Sequence, residues 1–342
     1  MNVRDYHMDD DAIISREFER FYNVADSSLG AAVVEVTDEF FGRCENLIAH
    51  APPKFDPDLY DDHGKVVDGW ETRRRRGPGH DYCEVKLAAL TSIKFVEVDT
   101  RFFTGNSPRG IMIEGNMFGS EVNAYEYSNW FPIVDYMEIE PNTVAIIPVD
   151  KESICSHVKL NIFPDGGVAR LRVYGEVKRF ALSDSAGSTE TDLASMLNGA
   201  QVLAWSDAHY GHPRNMLLQT KPRSMADGWE TRRRREPGFD WCIIKLGQAG
   251  CVERIELDTT HFKGNYPESF EVLGAYIDVH KGNNVRSDSM FWTTLLPRQV
   301  LGPDQKHCYC SEVKDLGTLS HVRLNIFPDG GVSRFRAYQL NP

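Results

Sequence analysis

Apolar and polar residues alternate along much of this chain. Over residues 157–162 every second residue is apolar, and the same pattern returns over residues 169–174. A period of two predicts strands with one buried face, because successive side chains of a strand point to opposite sides. Between the two stretches lies PDGG at residues 164–167, a typical turn sequence. The pattern therefore predicts a β-hairpin.

Short strand patterns occur in both halves of the chain, whereas helical periodicity is scarce. Only residues 12–22 and 193–197 have the pattern of short helices. Many short strands joined by glycine- and proline-containing turns, with few short helices, predict an all-β fold of jelly-roll-like β-sandwiches. The other strand patterns cover residues 83–87, 95–99, 111–113, 243–246, 255–258 and 270–273.

Two long segments of the chain occur twice, in the same order. Residues 67–86 match residues 226–245 at 14 of 20 positions, and residues 156–174 match residues 320–338 at 15 of 19. The copies begin 159 and 164 residues apart, which is the size of a domain and not of a solenoid unit. We therefore predict two tandem repeats of one β-sandwich.

A small and polar stretch lies between the two copies. Residues 183–191 contain no large apolar side chain, which is typical of a linker. We expect a first repeat at residues 1–182 with an N-terminal extension, a linker at residues 183–195, and a second repeat at residues 196–342.

The charge of the chain narrows the choice of partners. Its 342 residues carry a formal net charge of −12, so phosphate backbones and anionic membrane surfaces are repelled. The acidic N-terminus lacks an apolar signal segment, and no apolar run reaches the roughly 18 residues that span a bilayer. We expect a cytoplasmic protein that binds neither nucleic acid nor membrane.

The seven cysteines do not suggest a disulfide scaffold, because their number is odd and the chain is large. Free thiols in a reducing compartment fit better. Cys308 and Cys310 form a C-x-C pair that could hold a soft metal, but a single pair is a weak signal, and ordinary strand cysteines are the alternative.

The most unusual chemistry lies in the DGWETRRRR segments at residues 68–76 and 227–235. Guanidinium groups bind carboxylates through paired, charge-assisted hydrogen bonds, and an acidic protein needs such a local basic cluster to hold an anion. The alternative is that these arginines pair with nearby acids and clamp a loop. The candidate substrate-binding residues are Asp68, Arg73, Arg75, Asp227, Arg232 and Arg234.

Two strand histidines, His157 and His321, occupy the same polar position in the two repeats. A histidine can act as a general acid or base near neutral pH, and a buried, hydrogen-bonded histidine is the alternative. Asp165 and Asp329 lie in the PDGG turns, where an aspartate usually stabilises the turn itself.

No metal or cofactor motif stands out. His209 and His212 could donate ligands, but no H-E-x-x-H or H-x-H pattern supports a site. His261 corresponds to Phe102 in the first repeat, so any chemistry at that position is confined to the second repeat. The motifs of serine hydrolases, nucleotide-binding loops and dinucleotide oxidoreductases do not occur.

The recurring residues resemble those of the allantoicase family. The resemblance rests on both DGWETRRRR segments, on both HV[KR]LNIFPDGGV segments, and on residues 37–41, 46–47, 98–100 and 104–106. It covers nearly the whole chain. It implies two jelly-roll repeats, a homo-oligomer, and hydrolysis of allantoate to ureidoglycolate and urea in purine degradation. It also admits a divalent metal, for which the sequence offers no evident ligand set, so no cofactor is assigned.

Splitting allantoate breaks a C–N bond at a tetrahedral carbon, which needs a proton for the leaving nitrogen and a base for water. Glu71 or Glu230, together with His157 and His321, are the expected acid and base. The arginines would hold the substrate carboxylate in a cleft. The alternative is a non-catalytic jelly-roll module that binds a small molecule or carbohydrate, and a third hypothesis is an inactive, structural homo-oligomer.

Overall fold

The computed structural model describes residues 21–61, 64–117, 130–178, 190–277 and 285–341. The chain divides into two compact units, Met1–Lys178 and Arg179–Pro342, and each unit holds one copy of the repeated segments. Both units consist mainly of strands, which confirms the predicted all-β fold. Among the described residues, no helix is both long enough and apolar enough to span a bilayer.

The described part of the first unit contains strands and two short 3-10 helices, Ser27–Leu29 and Cys44–Ile48. The strands are β1 (Tyr22–Asn23), β2 (Ala32–Val36), β3 (Tyr60–Asp61), β4 (Gly64–Lys65), β5 (Trp70–Glu71), β6 (Asp81–Asp99), β7 (Gly110–Asn116), β8 (Phe131–Glu138), β9 (Val144–Phe163), β10 (Gly167–Val168) and β11 (Arg170–Val177).

The second unit repeats this order. Its strands are β12 (Glu190–Asp192), β13 (Gln201–Trp205), β14 (Trp229–Glu230), β15 (Asp240–Cys251), β16 (Arg254–Asp258), β17 (Ser269–Ala275), β18 (Thr293–Val300), β19 (Lys306–Tyr309), β20 (Thr318–Phe327), β21 (Gly331–Val332) and β22 (Arg334–Leu340). Its short helices are Met196–Asn198, Pro213–Leu217, Met225–Asp227, Val285–Asp288 and Ser289–Phe291.

The strands of the second unit form two main antiparallel sheets, with the orders β12-β22-β16-β19 and β13-β15-β20-β17-β18. In the first unit, β6 corresponds in sequence to β15 plus β16, and β9 corresponds to β19 plus β20. Because β6 and β9 run on without a break, the equivalent strands of the first unit join into one seven-stranded sheet.

The alternating apolar residues form the core, as their period predicts. Val158, Leu160 and Ile162 are fully buried, and so are their counterparts in β20. Two tryptophans anchor the segments that precede the tandem arginines. Trp70 and Trp229 are fully buried, and each donates its indole N–H to a backbone carbonyl at 2.8 Å.

The predicted β-hairpin is wrong, although both of its strands exist. β9 pairs with β6 and β7, whereas β11 pairs with β1 and β6, so the two strands do not pair with each other. In the second unit the equivalent strands, β20 and β22, lie in different sheets. The PDGG turn therefore carries the chain from one set of strands to another, because alternation identifies a strand but not its partner.

Two local predictions also need correction. Residues 190–192, assigned to the linker at 183–195, form β12 and pair with β22, so residues 190–195 belong to the second unit. The short helix expected at residues 193–197 is a 3-10 helix at Met196–Asn198. Of the helix expected at residues 12–22, residues 12–20 lie outside the described part of the chain, and Tyr22 begins β1.

Cys44 and Cys83 form a disulfide, so the expectation of free thiols was wrong for this pair. They are 39 residues apart and meet only through the fold, since one lies in a 3-10 helix and the other in β6. The second repeat has Pro213 in place of Cys44. The free cysteines are Cys155, Cys242, Cys251, Cys308 and Cys310.

Candidate active site

In both units the segment before the tandem arginines packs directly against the PDGG turn. Glu71 pairs with Gly167 across β5 and β10, and Glu230 pairs with Gly331 across β14 and β21. A side chain at Gly331 would meet the ring of Phe262 at 2.0 Å, so glycine is needed for this close approach. The two most strongly repeated sequence segments therefore lie in direct contact within each unit.

The first arginine of each run is held by an aspartate of its own unit. Arg73 lies 2.6 Å from Asp38, which also accepts its backbone N–H at 2.8 Å. Arg232 repeats the backbone hydrogen bond to Asp207 at 2.8 Å, with a looser ion pair at 3.7 Å. Both arginine side chains are largely exposed, so these ion pairs contribute little stability.

The third arginine of each run is held more firmly. Arg75 pairs with the buried Asp81, and Arg234 pairs with the buried Asp240 at 2.5 Å. The aspartates of the PDGG turns accept the backbone N–H of the same two arginines, at 2.7 and 2.8 Å. Each of the four arginines predicted to bind substrate therefore has an internal carboxylate partner.

Asp68 and Asp227 also have structural partners. Asp68 pairs at 2.8 Å with Arg170, a fully buried guanidinium, and Asp227 pairs at 2.9 Å with Arg223. Burial alone would raise the pKa of Asp68, but the hydrogen bond and charge of Arg170 lower it overall. These aspartates anchor the start of each DGWETRRRR segment.

Each predicted catalytic glutamate meets an asparagine that sequence reasoning did not single out. Asn106 donates its amide N–H to Glu71 at 2.6 Å, and Asn265 does the same to Glu230 at 2.5 Å. Burial raises the pKa of Glu71, while the Asn106 hydrogen bond opposes this rise. The recurring Gly-Asn pair in both repeats was the available signal.

A cavity of about 780 Å³ lies beside Glu230 in the second unit. In the first unit a smaller cavity of about 370 Å³ is lined by residues near Asn106 but does not reach Glu71. The larger cavity has Tyr266 and Glu268 where the first repeat has Ser107 and Arg109. Its lining includes Tyr210, Glu230, Arg233, Arg234, Asn265, Tyr266, Glu268 and Asp329.

Arg233, the second arginine of its run, differs from its neighbours. It is exposed, it lines the cavity, and no carboxylate of the described residues lies within ion-pair distance. Its neighbours Arg232 and Arg234, by contrast, form ion pairs with Asp207 and Asp240. Arg233 is therefore available to bind an anion, and it is not one of the four arginines that the sequence favoured.

The strand histidines do not join the glutamates within either unit. His321 pairs with Lys245 in β15, and β20 continues for six more residues before the PDGG turn. At a strand rise of about 3.3 Å per residue, this separates His321 from the turn by about 20 Å. His157 occupies the same position in β9. Each histidine Nδ1 contacts the hydroxyl of the preceding serine, at 2.9 and 2.8 Å.

The free energy of unfolding should decrease at acidic pH, because both histidines are neutral in the folded protein. Burial, with a smaller effect from Lys86 or Lys245, lowers the pKa of His157 and of His321 to about 4. Between the ordinary pKa near 6.5 and about 4, the unfolded chain binds more protons, so the free energy of unfolding decreases as pH falls. In the variant with both histidines changed to glutamine, the melting temperature measured by calorimetry should depend less on pH between pH 6.5 and 4. An unchanged slope would contradict this assignment.

The metal-ligand candidate His212 and the second-repeat candidate His261 both have structural contacts. His212 accepts the backbone N–H of Arg214 at 3.1 Å and caps a 3-10 helix, and His261 contacts the carbonyl of Pro222 at 3.0 Å. Within the described ranges, no three His, Cys, Asp or Glu side chains cluster in a way that could hold an ion.

The sequence matches a family model described as "Allantoicase repeat" twice, over residues 22–178 and 191–341. The chain belongs to the allantoicase family. The two matches cover both structural units, in agreement with the resemblance carried by the repeated segments.

Individual members of the allantoicase family are similar over nearly the full chain. A "Probable allantoicase" from Acinetobacter baylyi is 45% identical over 316 residues, which cover 92% of this chain and 93% of that protein. A second, from Rhizobium meliloti, is 46% identical with the same coverage. The crystal structure of allantoicase from Saccharomyces cerevisiae superposes with a TM-score of 0.75 at 34% identity, covering 97% of this chain and 98% of that one.

Proposed function

We propose that this chain hydrolyses allantoate to ureidoglycolate and urea, and that the reaction takes place in the cavity of the second repeat. The family match over both repeats, with 45% identity to a probable allantoicase across 92% of the chain, carries the proposal for the activity. The joint presence of Glu230, Asn265 and Arg233 in one cavity supports its location.

The cavity residues suit the two requirements of the substrate. Arg233 can bind the allantoate carboxylate bidentately, since no internal acid of the described residues occupies it. Glu230, oriented by Asn265, can take a proton from water as the oxygen attacks the central carbon. Glu230 then donates that proton to the departing urea nitrogen as the C–N bond breaks. A single carboxylate thus acts first as base and then as acid, and it is deprotonated again at the end of the reaction.

Urea release from allantoate tests the proposal directly. Purified chain incubated with allantoate should release urea and ureidoglycolate in equal amounts, at a rate proportional to enzyme concentration. Calorimetric binding of allantoate without turnover would instead favour the non-catalytic binding module. Failure to bind or turn over allantoate would favour a structural protein.

Arg233→Met should raise the KM for allantoate about 10- to 100-fold while changing kcat less, because a charge-assisted hydrogen bond to the substrate contributes about 1.5–3 kcal/mol. Steady-state kinetics of urea release measure both constants. Arg74→Met, the same change in the first repeat, is the matched control and should leave both near wild type. Equal effects of the two variants would place carboxylate binding outside the second-repeat cavity.

Homo-oligomerisation and a cytoplasmic location stay predictions, and so does the absence of a cofactor. Light scattering of the purified chain reports the number of subunits. Urea release before and after dialysis against a chelator, with each divalent metal then added back, reports a metal requirement.

A further inference from the structure

In a second cavity of the second unit, the guanidinium groups of two arginines lie over the ring of one tryptophan. It measures about 280 Å³ and is lined by Trp241, Arg286, Ser287, Met290 and Arg323, none of which lines the larger cavity. The guanidinium of Arg323 lies 4.6 Å from the centre of the Trp241 ring, and that of Arg286 lies 5.7 Å from it. The two positive charges are therefore within about 10 Å of each other.

Arg323 is a buried charge without an ion pair among the described residues. It is 5% exposed, and its hydrogen bonds go to the neutral side chains of Asn325 and Ser289, both at 2.8 Å. Glu271, on the neighbouring strand, accepts the amide of Asn325 and forms no ion pair with Arg323. Glu271 therefore stabilises the charge of Arg323 only at a distance. A buried cation without a direct ion pair is costly, so an anion bound beside it gains stability.

The first repeat shows the same position with its charge neutralised. Lys159 corresponds to Arg323, stacks over Tyr82 at 4.8 Å, and forms an ion pair with Glu84 at 2.8 Å. Glu84 faces Lys159 across β6 and β9, and the equivalent partner of Arg323 is Ile243. The second repeat therefore has an apolar residue where the first repeat supplies the balancing carboxylate.

We propose that the Trp241–Arg286–Arg323 cavity binds a small organic carboxylate, as a site separate from the catalytic cavity. Two guanidinium groups can bind a carboxylate, and the apolar atoms of Trp241 and Met290 accommodate the rest of the molecule. This apolar lining favours an organic acid over inorganic phosphate. A carboxylate bound in this cavity would pair with Arg323, as Glu84 pairs with Lys159 in the first repeat.

Isothermal titration calorimetry of the full chain tests the site with benzoate, with the neutral benzamide and inorganic phosphate as comparison probes. Benzoate should bind once per chain, at least about 10-fold more tightly than either comparison. Arg286→Ala removes an exposed guanidinium and should weaken benzoate binding about 10-fold or more, whereas the control Arg235→Ala, another exposed arginine, should not.

Ile243→Glu copies the first-repeat ion pair into the second repeat and should abolish benzoate binding, with folding checked by circular dichroism. If Ile243→Glu does not fold, Arg286→Ala still tests the proposal. Equal binding of benzamide or phosphate, a wild-type chain that binds no benzoate, or equal weakening by Arg235→Ala would overturn the proposal. A rise in the KM for allantoate in Arg286→Ala would overturn the separation from the catalytic cavity.

Discussion

Glu230→Gln should lower kcat for allantoate hydrolysis by about 10²- to 10⁴-fold, the usual contribution of a general acid or base. Glutamine keeps the size of the side chain but cannot accept a proton. It can still bond to Asn265, since an amide oxygen replaces the carboxylate oxygen that accepts at 2.5 Å. The KM should therefore change little. The rate of urea release at saturating allantoate is the decisive measurement.

Glu71→Gln is the matched control, because Glu71 has the same strand position and the same asparagine partner in the first repeat. We expect it to retain nearly full turnover, since the cavity of about 370 Å³ in that unit does not include Glu71. Comparable losses in both variants would mean that both repeats contribute a reactive carboxylate. Full turnover in Glu230→Gln would show that the base lies elsewhere.

Trp229→Ala should lower the free energy of unfolding of the second unit by about 3–5 kcal/mol, as expected for the removal of a fully buried tryptophan. Trp229 directly precedes Glu230 in β14, and its indole N–H donates to the carbonyl of Asp207 at 2.8 Å. Loss of the ring therefore leaves a void in the core and removes the hydrogen bond to the Asp207 carbonyl. Urea denaturation of the full chain, followed by circular dichroism, measures the change.

Trp229→Phe separates the two effects. Phenylalanine retains most of the apolar contact but cannot donate to the Asp207 carbonyl, so a smaller loss of about 1–3 kcal/mol is expected. A change below about 1 kcal/mol in Trp229→Ala would mean that the ring does not hold this segment in place.

The four arginines that the sequence favoured show which side-chain contacts a local pattern can predict and which it cannot. Alternation predicts that Arg232 and Arg234 point away from Arg233, because neighbouring side chains of an extended segment point in opposite directions. It cannot tell which side meets the protein. That depends on Asp207 and Asp240, which arrive from other parts of the chain. The internal ion pairs therefore match the clamping alternative for these four residues.

The strand histidines show a related limit. His157 and His321 recur at a polar strand position, which the sequence displays plainly. Their distance from the glutamates depends on the length of strand that continues beyond them, and their low pKa depends on burial by neighbouring strands. Neither quantity is encoded within a few residues of the histidine itself.

The sequence by itself determined the duplication, the all-β fold and the family, and it pointed to Glu230, which lines the larger cavity. These features follow from residue identity and from a period of two, which are local properties of the chain. The tertiary structure alone decided that β20 and β22 lie in different sheets, that Asn265 meets Glu230, and that Arg233 lines a cavity. Such contacts join residues far apart in sequence, and they form only when burial of the apolar faces brings their strands together.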